Sequence, residues 1–468
     1  MCALQKQSPK SGLTAGKQRN YNEVIEFLDA NWGTNPHEKN LTLIKQLDKA
    51  FDNPSQKIST ILVAGTNGKS LTINFTAKLL ALEGLKVGTY YAPHFLTYNE
   101  RLSINNEMVS NKTFTEIAND VINMAESLNI QVNSADILTM MAFIYFKNSN
   151  VDVALLEVSK VETPDATTLC QPKITAITRV TPEDPEKMDI ALKNMLEIVT
   201  PGTTIISGDQ SKLNLQAMLE VVESKGATWA MPIRKLAALP YPFEQLHGRC
   251  AALAERISSI FINEFAHKDA VVVSNSLLTK QKGQRGRPTL EAKRQLELNP
   301  QKTVDQYWKE EHSALPGRFE LLEKEKPSIL LDNASDLDAF QNLLLGIRLL
   351  HYKRPLKGLT VILSSNNPQL NTLEFLKLLR YFFKKTSGQV IVCPSELQPG
   401  HNGAESWDVE KITNEIKSMK IKARSAKTFA EAYDAAVASV DERNGLVVIA
   451  GSPSLITQYW HHKGIKKF

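Results

Sequence analysis

Cysteine is scarce. Cys2, Cys170, Cys250 and Cys393 are the only four in 468 residues, and no two share the short spacing of a thiolate metal site or a redox pair. That scarcity argues against a disulfide-stapled secreted scaffold and for free thiols in a reducing cytosol. Long apolar runs are missing too: none approaches the ~20 residues that a bilayer-spanning helix needs. Residues 1–20 are polar, with lysines and glycines but no apolar segment, and read as a loose tail rather than a signal peptide. Charge imbalance is slight. The 55 basic and 50 acidic residues leave +5, too little to mark a nucleic-acid or membrane partner. What remains is an ordinary soluble composition, 42% hydrophobic and 22% charged, on a chain long enough for two cores.

One stretch organises the rest. Ile58 to Val63 is apolar and β-branched, as in a buried strand, and runs into Ala64-Gly65-Thr66-Asn67-Gly68-Lys69-Ser70. Residues 71–83 follow with helical spacing, Leu71, Phe75, Leu79, Leu80 and Leu82 on the apolar side and Gly84 as the stop. Strand, glycine turn and helix together cradle phosphates. Small residues let backbone N–H groups reach the oxygens, the helix N-terminus favours negative charge, and a lysine adds a point charge. The string is not a full Walker A motif, since Val63 stands where its first glycine belongs, so a plain tight turn is the competing reading.

Helices are expected over 21–32, 41–51, 113–128 and 136–147, and strands over 87–91, 151–157 and 174–177. In open α/β sheets ligands gather at the carboxyl ends of strands. Three such ends carry the Lys69 loop, the loop of His94, and Glu157. A carboxylate there either orients Mg²⁺ beside a triphosphate or merely caps a strand. His94 has a bland alternative as an ordinary loop histidine, and Arg101 as a fold-holding ion-pair residue.

Composition shifts over 276–312, where Lys280 to Pro288 is basic and glycine-rich. Without interleaved aromatics it reads as a solvated linker or insertion rather than a nucleic-acid patch. A second β/α alternation follows over 313–468, with strands over 328–331, 359–363, 390–392 and 446–450 and a capping box at Thr428-Phe429-Ala430-Glu431. The predicted fold is therefore α/β: a phosphate-loop domain over 21–275 with a mostly parallel central sheet, then a smaller Rossmann-like domain.

The motifs go further. Ala64-Gly65-Thr66-Asn67-Gly68-Lys69 resembles the ATP loop of the Mur ligase superfamily, and its surroundings resemble the folylpolyglutamate synthase and dihydrofolate synthase branch. Asn53-Pro54, Tyr91-Ala92-Pro93-His94-Phe95 with Glu100 to Asn105, Leu155 to Val158 with Asp165-Ala166-Thr167, Leu315 to Glu320, and Gly451-Ser452 are similar to that branch in the same order, over about residues 21–460. The resemblance implies ATP-dependent amide formation. ATP would phosphorylate a folate or dihydropteroate carboxylate, and the amine of L-glutamate would attack the acyl phosphate. It implies ATP binding by Gly65, Thr66, Asn67, Gly68, Lys69, Ser70, Arg318 and Asp332, and catalytic work by Lys69 and His94. Lys193 is the nearest match to the family's carbamate-bearing lysine. The candidate Mg²⁺ ligands are Glu157, from its place at a strand end, and Ser70, whose hydroxyl follows the loop lysine as in Walker-type loops although this branch has glycine there; a cytoplasmic monomer is expected, with no nucleic acid or membrane partner.

The pattern also departs from that branch. Ala92 stands where the family has a metal-ligating serine, Thr181 where it has a histidine, and Ser335 where its second domain has another. Ser70 offers a Walker-type hydroxyl instead, and Glu183 and Asp184 offer hard oxygen donors. Two rival readings accompany the ligase: a degenerate relative that binds nucleotide or folate but turns over little, and a ligase for some other acid and amine.

Overall fold

The computed structural model describes residues 16–32, 41–158, 165–181, 188–209, 211–237, 239, 245–266, 303–310, 315–365, 367–396 and 407–468. Two sheets carry it. The first holds β1 (Thr60–Ala64), β2 (Val87–Tyr90), β3 (Leu102–Ile104), β4 (Glu107–Met108), β5 (Val153–Glu157), β6 (Pro172–Ile177), β7 (Thr204–Ser207) and β8 (Thr228–Ala230), in the order β4-β3-β2-β5-β1-β6-β7-β8. Only the β2–β3–β4 edge is antiparallel. The second holds β9 (Glu320–Leu322), β10 (Ser328–Asp332), β11 (Leu359–Leu363), β12 (Gln389–Val392), β13 (Ala423–Ser425) and β14 (Leu446–Ala450), in the order β13-β12-β11-β14-β10-β9, parallel except at β9. The α/β expectation, with two mostly parallel sheets, is met.

Central strands read as unbroken apolar runs because helices cover both faces. Along β1, Leu62 and Ala64 join one core while Ile61 and Val63 join another. The second sheet divides likewise, Leu330 from Ile329 and Leu331.

Several expectations are corrected. The helix after the glycine turn is Lys69–Leu82, starting two residues early because Gly68, at φ +88°, supplies the left-handed turn that launches it. Leu82 is 52% exposed rather than on the apolar side. Most of the basic 276–312 stretch lies outside the described residues, but Val304–Glu310 is a helix whose Trp308 is fully buried against Phe75, ring centroids 5.1 Å apart. That part is core, not solvated linker. Thr428 does cap the helix Phe429–Val437 through the Glu431 amide, yet the Glu431 carboxylate accepts from Lys427 N instead of closing the box.

Candidate functional site

Register explains the site. β1 lies between β5 and β6, with Val63 opposite both Glu157 and Ala176, so three carboxyl ends open side by side. They deliver the 65–68 loop, Glu157, and the Thr178–Thr181 segment. β2 flanks β5 and brings up Tyr91 and Ala92.

The glycines of the loop are required. Gly65, at φ +129°, lies where a Cβ would come within 2.1 Å of Thr178 Oγ1. At Gly68 a Cβ would lie 2.7 Å from Cys250 Sγ. The loop is tied down by Thr66 N donating to Arg179 O (2.8 Å), and by the Thr66 hydroxyl, which accepts from Thr181 N (3.0 Å) and donates to Thr181 O (3.1 Å). The Lys69 ammonium arches back to Gly65 O (2.9 Å) and Thr66 O (3.4 Å). This holds the loop in a curve with its lysine at the mouth.

Glu157 is the electrostatic centre. It is 3% exposed, and one carboxylate oxygen accepts from Ser70 Oγ (2.9 Å) and Ala92 N (3.3 Å). Burial pushes its carboxyl above the ordinary range, while Lys69 and Arg318 pull it back. Arg318 arrives from the segment before β9. Its Nη2 donates to Ser70 Oγ at 3.1 Å, and its guanidinium lies over the Phe95 ring, 4.9 Å from the centroid. Ser70 thus accepts from a second-sheet arginine and donates to a first-sheet carboxylate.

The same seam is closed at two further points. A Cβ on Gly317, at φ +62°, would lie 2.7 Å from Phe95 and 2.8 Å from Ile456. Asn67 Nδ2 donates to Asp336 Oδ1 (3.1 Å) and Asp338 Oδ2 (3.2 Å), and Arg179 pairs with Asp338 at 2.8 Å.

The remaining sequence candidates separate. Asp332 accepts Phe319 N and Ala334 N, each at 2.8 Å, so backbone amides engage both of its oxygens. His94 is buried, its Nδ1 accepting from Arg101 Nε at 3.0 Å and its ring 4.2 Å from that of Tyr98. That bond fixes the proton on Nε2 in the neutral ring. His94, Tyr98, Asp29 and His461 line a cavity of about 450 Å³ that also contacts Tyr21 and Phe95. Arg101, itself buried and 5.0 Å from the Trp32 ring centroid, therefore acts on His94 by holding it. Lys193 stands exposed on the helix Met188–Leu196, and among the described residues no hydrogen bond or ion pair joins it to the Glu157 group. Glu183 and Asp184 lie outside the described residues. Thr178, Arg179, Asp336 and Asp338 were missed; the only sequence signal for the first two was their position just past β6.

Among the described residues no three His, Cys, Asp or Glu side chains converge as a self-sufficient metal site. A hydroxyl and a carboxylate 2.9 Å apart nevertheless suit Mg²⁺, which takes few protein oxygens and completes its shell with water and phosphate. Ser70 and Glu157 fit that chemistry.

No family model matches the chain. Its sequence is 28% identical over 322 residues to a dihydrofolate synthase/folylpolyglutamate synthase of Bacillus subtilis, covering 64% of this chain and 70% of that protein. It is 27% identical over 241 residues to the folylpolyglutamate synthase of Lacticaseibacillus casei, covering 49% and 55%. The fold superposes on Mycobacterium tuberculosis folylpolyglutamate synthase complexed with ADP, at a TM-score of 0.72 and 20% identity over 95% of this chain and 98% of that one. It also superposes on the bifunctional synthase of Yersinia pestis complexed with AMPPNP and Mn ion, at 0.71 and 19% over 97% and 100%.

Proposed function

We propose that the chain is a member of the folylpolyglutamate and dihydrofolate synthase family, to whose curated members it is similar in sequence, and that it is an ATP-dependent ligase that joins L-glutamate to a folate or dihydropteroate carboxylate. The γ-phosphoryl group passes to a carboxylate oxygen, giving an acyl phosphate and ADP. The glutamate amine then attacks the carbonyl carbon, forming the amide C–N bond and expelling inorganic phosphate.

The observation that carries this reading is the buried relay Arg318–Ser70–Glu157, which joins the phosphate loop to the second sheet. The loop amides and Lys69 bind and orient the triphosphate, while Arg318 offsets charge as phosphoryl transfer proceeds. Arg318 on Ser70 already brings the second lobe against the loop, where exclusion of water strengthens these interactions. Ser70 and Glu157 would hold Mg²⁺, which supplies further neutralisation on the phosphate oxygens. His94, with its proton on Nε2, is a hydrogen-bond donor suited to an acceptor in the adjoining cavity. Among the described residues no helix is long and apolar enough to cross a membrane.

One observation favours a second reading. Ala92 offers Glu157 only a backbone N–H where a serine hydroxyl would be the family's ligand, as suits a nucleotide- or folate-binding relative with little turnover. One assay separates the two. The protein is incubated with ATP, Mg²⁺, labelled glutamate and either tetrahydrofolate or dihydropteroate, beside Lys69→Ala. Lys69-dependent product supports the ligase. Nucleotide binding without product on both acceptors rejects it, and product with another amino acid redirects the amine assignment.

A further inference from the structure

The phosphate loop carries an unusual neighbour for an anion site: two carboxylates from the other sheet. Asp336 and Asp338 both accept from the Asn67 side-chain amide, at 3.1 and 3.2 Å, and Asp338 also takes the Arg179 guanidinium at 2.8 Å. Asn67 lies inside the loop, and Arg179 is anchored to it through Thr66 N. The Asp338 side chain is largely buried and that of Arg179 half-buried, keeping 11% and 30% of their exposure. Two of the polar groups nearest the loop are thus spent on negative charge belonging to the protein.

A nucleotide brings further negative charge to that loop, only part of which its Mg²⁺ offsets. Like charges in a partly dry seam repel over such distances, so phosphates and the two aspartates compete for Asn67 and Arg179. From this geometry we propose that Asp336 and Asp338 are positioning residues that set nucleotide affinity by opposition: they hold Asn67 and Arg179 while the loop is free and are displaced when phosphates enter. The inference rests on the loop being the phosphate site, and goes beyond it by naming what the nucleotide must displace. ATP, with more charge than ADP, is penalised more.

Asparagine substitutions separate this from a plain stabilising contact. Asp336 is the N-cap of the helix Leu337–Lys353, accepting from Ala339 N at 2.9 Å, and Asn serves that position about as well. Asp336→Asn/Asp338→Asn therefore removes charge while keeping the cap. Calorimetric titration of the full chain with Mg²⁺-ATP and Mg²⁺-ADP, with melting curves alongside, is the test. The expected result is about tenfold tighter ATP binding, a smaller gain for ADP, and return to wild-type affinity in Asp338→Glu. Should the double variant melt before the titration temperature, Asp338→Asn alone should show a several-fold gain. A wild-type or weaker ATP affinity in the Asn variants, with Lys69→Ala abolishing binding, overturns the opposition and leaves the phosphate site standing. No binding by wild type or the Asn variants overturns both, whereas binding by the Asn variants alone supports the opposition in its strongest form.

Discussion

The charge on Glu157 is the most exacting test of the site, and removing Arg318 is the perturbation that exposes it. Arg318 Nη2 and the Glu157 carboxylate share Ser70 Oγ at 3.1 and 2.9 Å, so the charged groups approach within about 6 Å. At an effective dielectric near 20 that attraction is about 3 kcal/mol. Lys69 remains beside Glu157 as a second source of positive potential, so we expect Arg318→Gln to cost about 2–3 kcal/mol at pH 8. The sign with pH follows from burial, which already raises the folded-state pKa of Glu157. A raised carboxyl contributes stability that is fully present below its unfolded pKa, near 4.3, and is lost as pH rises through the folded value. Arg318→Gln pushes that value up further, so its deficit should shrink as pH falls and Glu157 takes up its proton. The assay is urea denaturation of wild type, Arg318→Gln, Glu157→Gln and the double variant at pH 5 and 8. A coupling energy of about 2 kcal/mol at pH 8 that falls toward pH 5 is expected. A coupling below about 0.5 kcal/mol at pH 8, or one independent of pH, would refute the electrostatic account of the relay.

Other expectations are simpler. Trp308 is fully buried against Phe75, and its indole N–H donates to Glu255, so Trp308→Ala should lower unfolding free energy by about 3–5 kcal/mol in the same urea assay. The Asp136 carboxyl is pushed up to about 6, chiefly by burial and also by Asp165. Its ionisation opposes folding, so stability drops as pH climbs through 6, and Asp136→Asn should gain about 1–2 kcal/mol at pH 8 and nothing below about pH 4. Arg101→Leu removes the donor to His94 Nδ1; nitrogen NMR should then show the imidazole tautomers mixing, whereas wild type holds its proton on Nε2.

What could be read without coordinates was local. The run from Ile58 to Leu82 declared strand, turn and helix because apolar periodicity and two glycines with positive φ all fall within one stretch. Glu157 was legible for a related reason, being a carboxylate at the end of an apolar run whose strand pairs directly with β1. For Lys193 a motif match says nothing of which face of a helix a residue occupies; Lys193 is exposed and its neighbour Leu192 takes the buried face. Trp308 was hidden by the charged residues around it. Asp336 and Asp338 could not be found at all, since they reach Asn67 across 269 and 271 residues of chain, and nothing local to them refers to the loop.

The contrast at Ala92 shows why column-by-column comparison misreads a site of this kind. Along the sequence, alanine in place of a family serine is a lost oxygen donor. In space, Ala92 N and Ser70 Oγ address the same oxygen of Glu157, one from the end of β2 and the other from the first turn of the helix after β1. A hydroxyl therefore still stands against the carboxylate, contributed by a different strand end. Its position in the helix also puts it within reach of Arg318. A Ser70→Gly variant should accordingly weaken both the binding of Mg²⁺ with nucleotide and the coupling between Arg318 and Glu157. Restoring the family's serine with Ala92→Ser in that background should recover the first and not the second. Recovery of both would mean that the hydroxyl's origin is immaterial, and would remove the distinction drawn between the two positions.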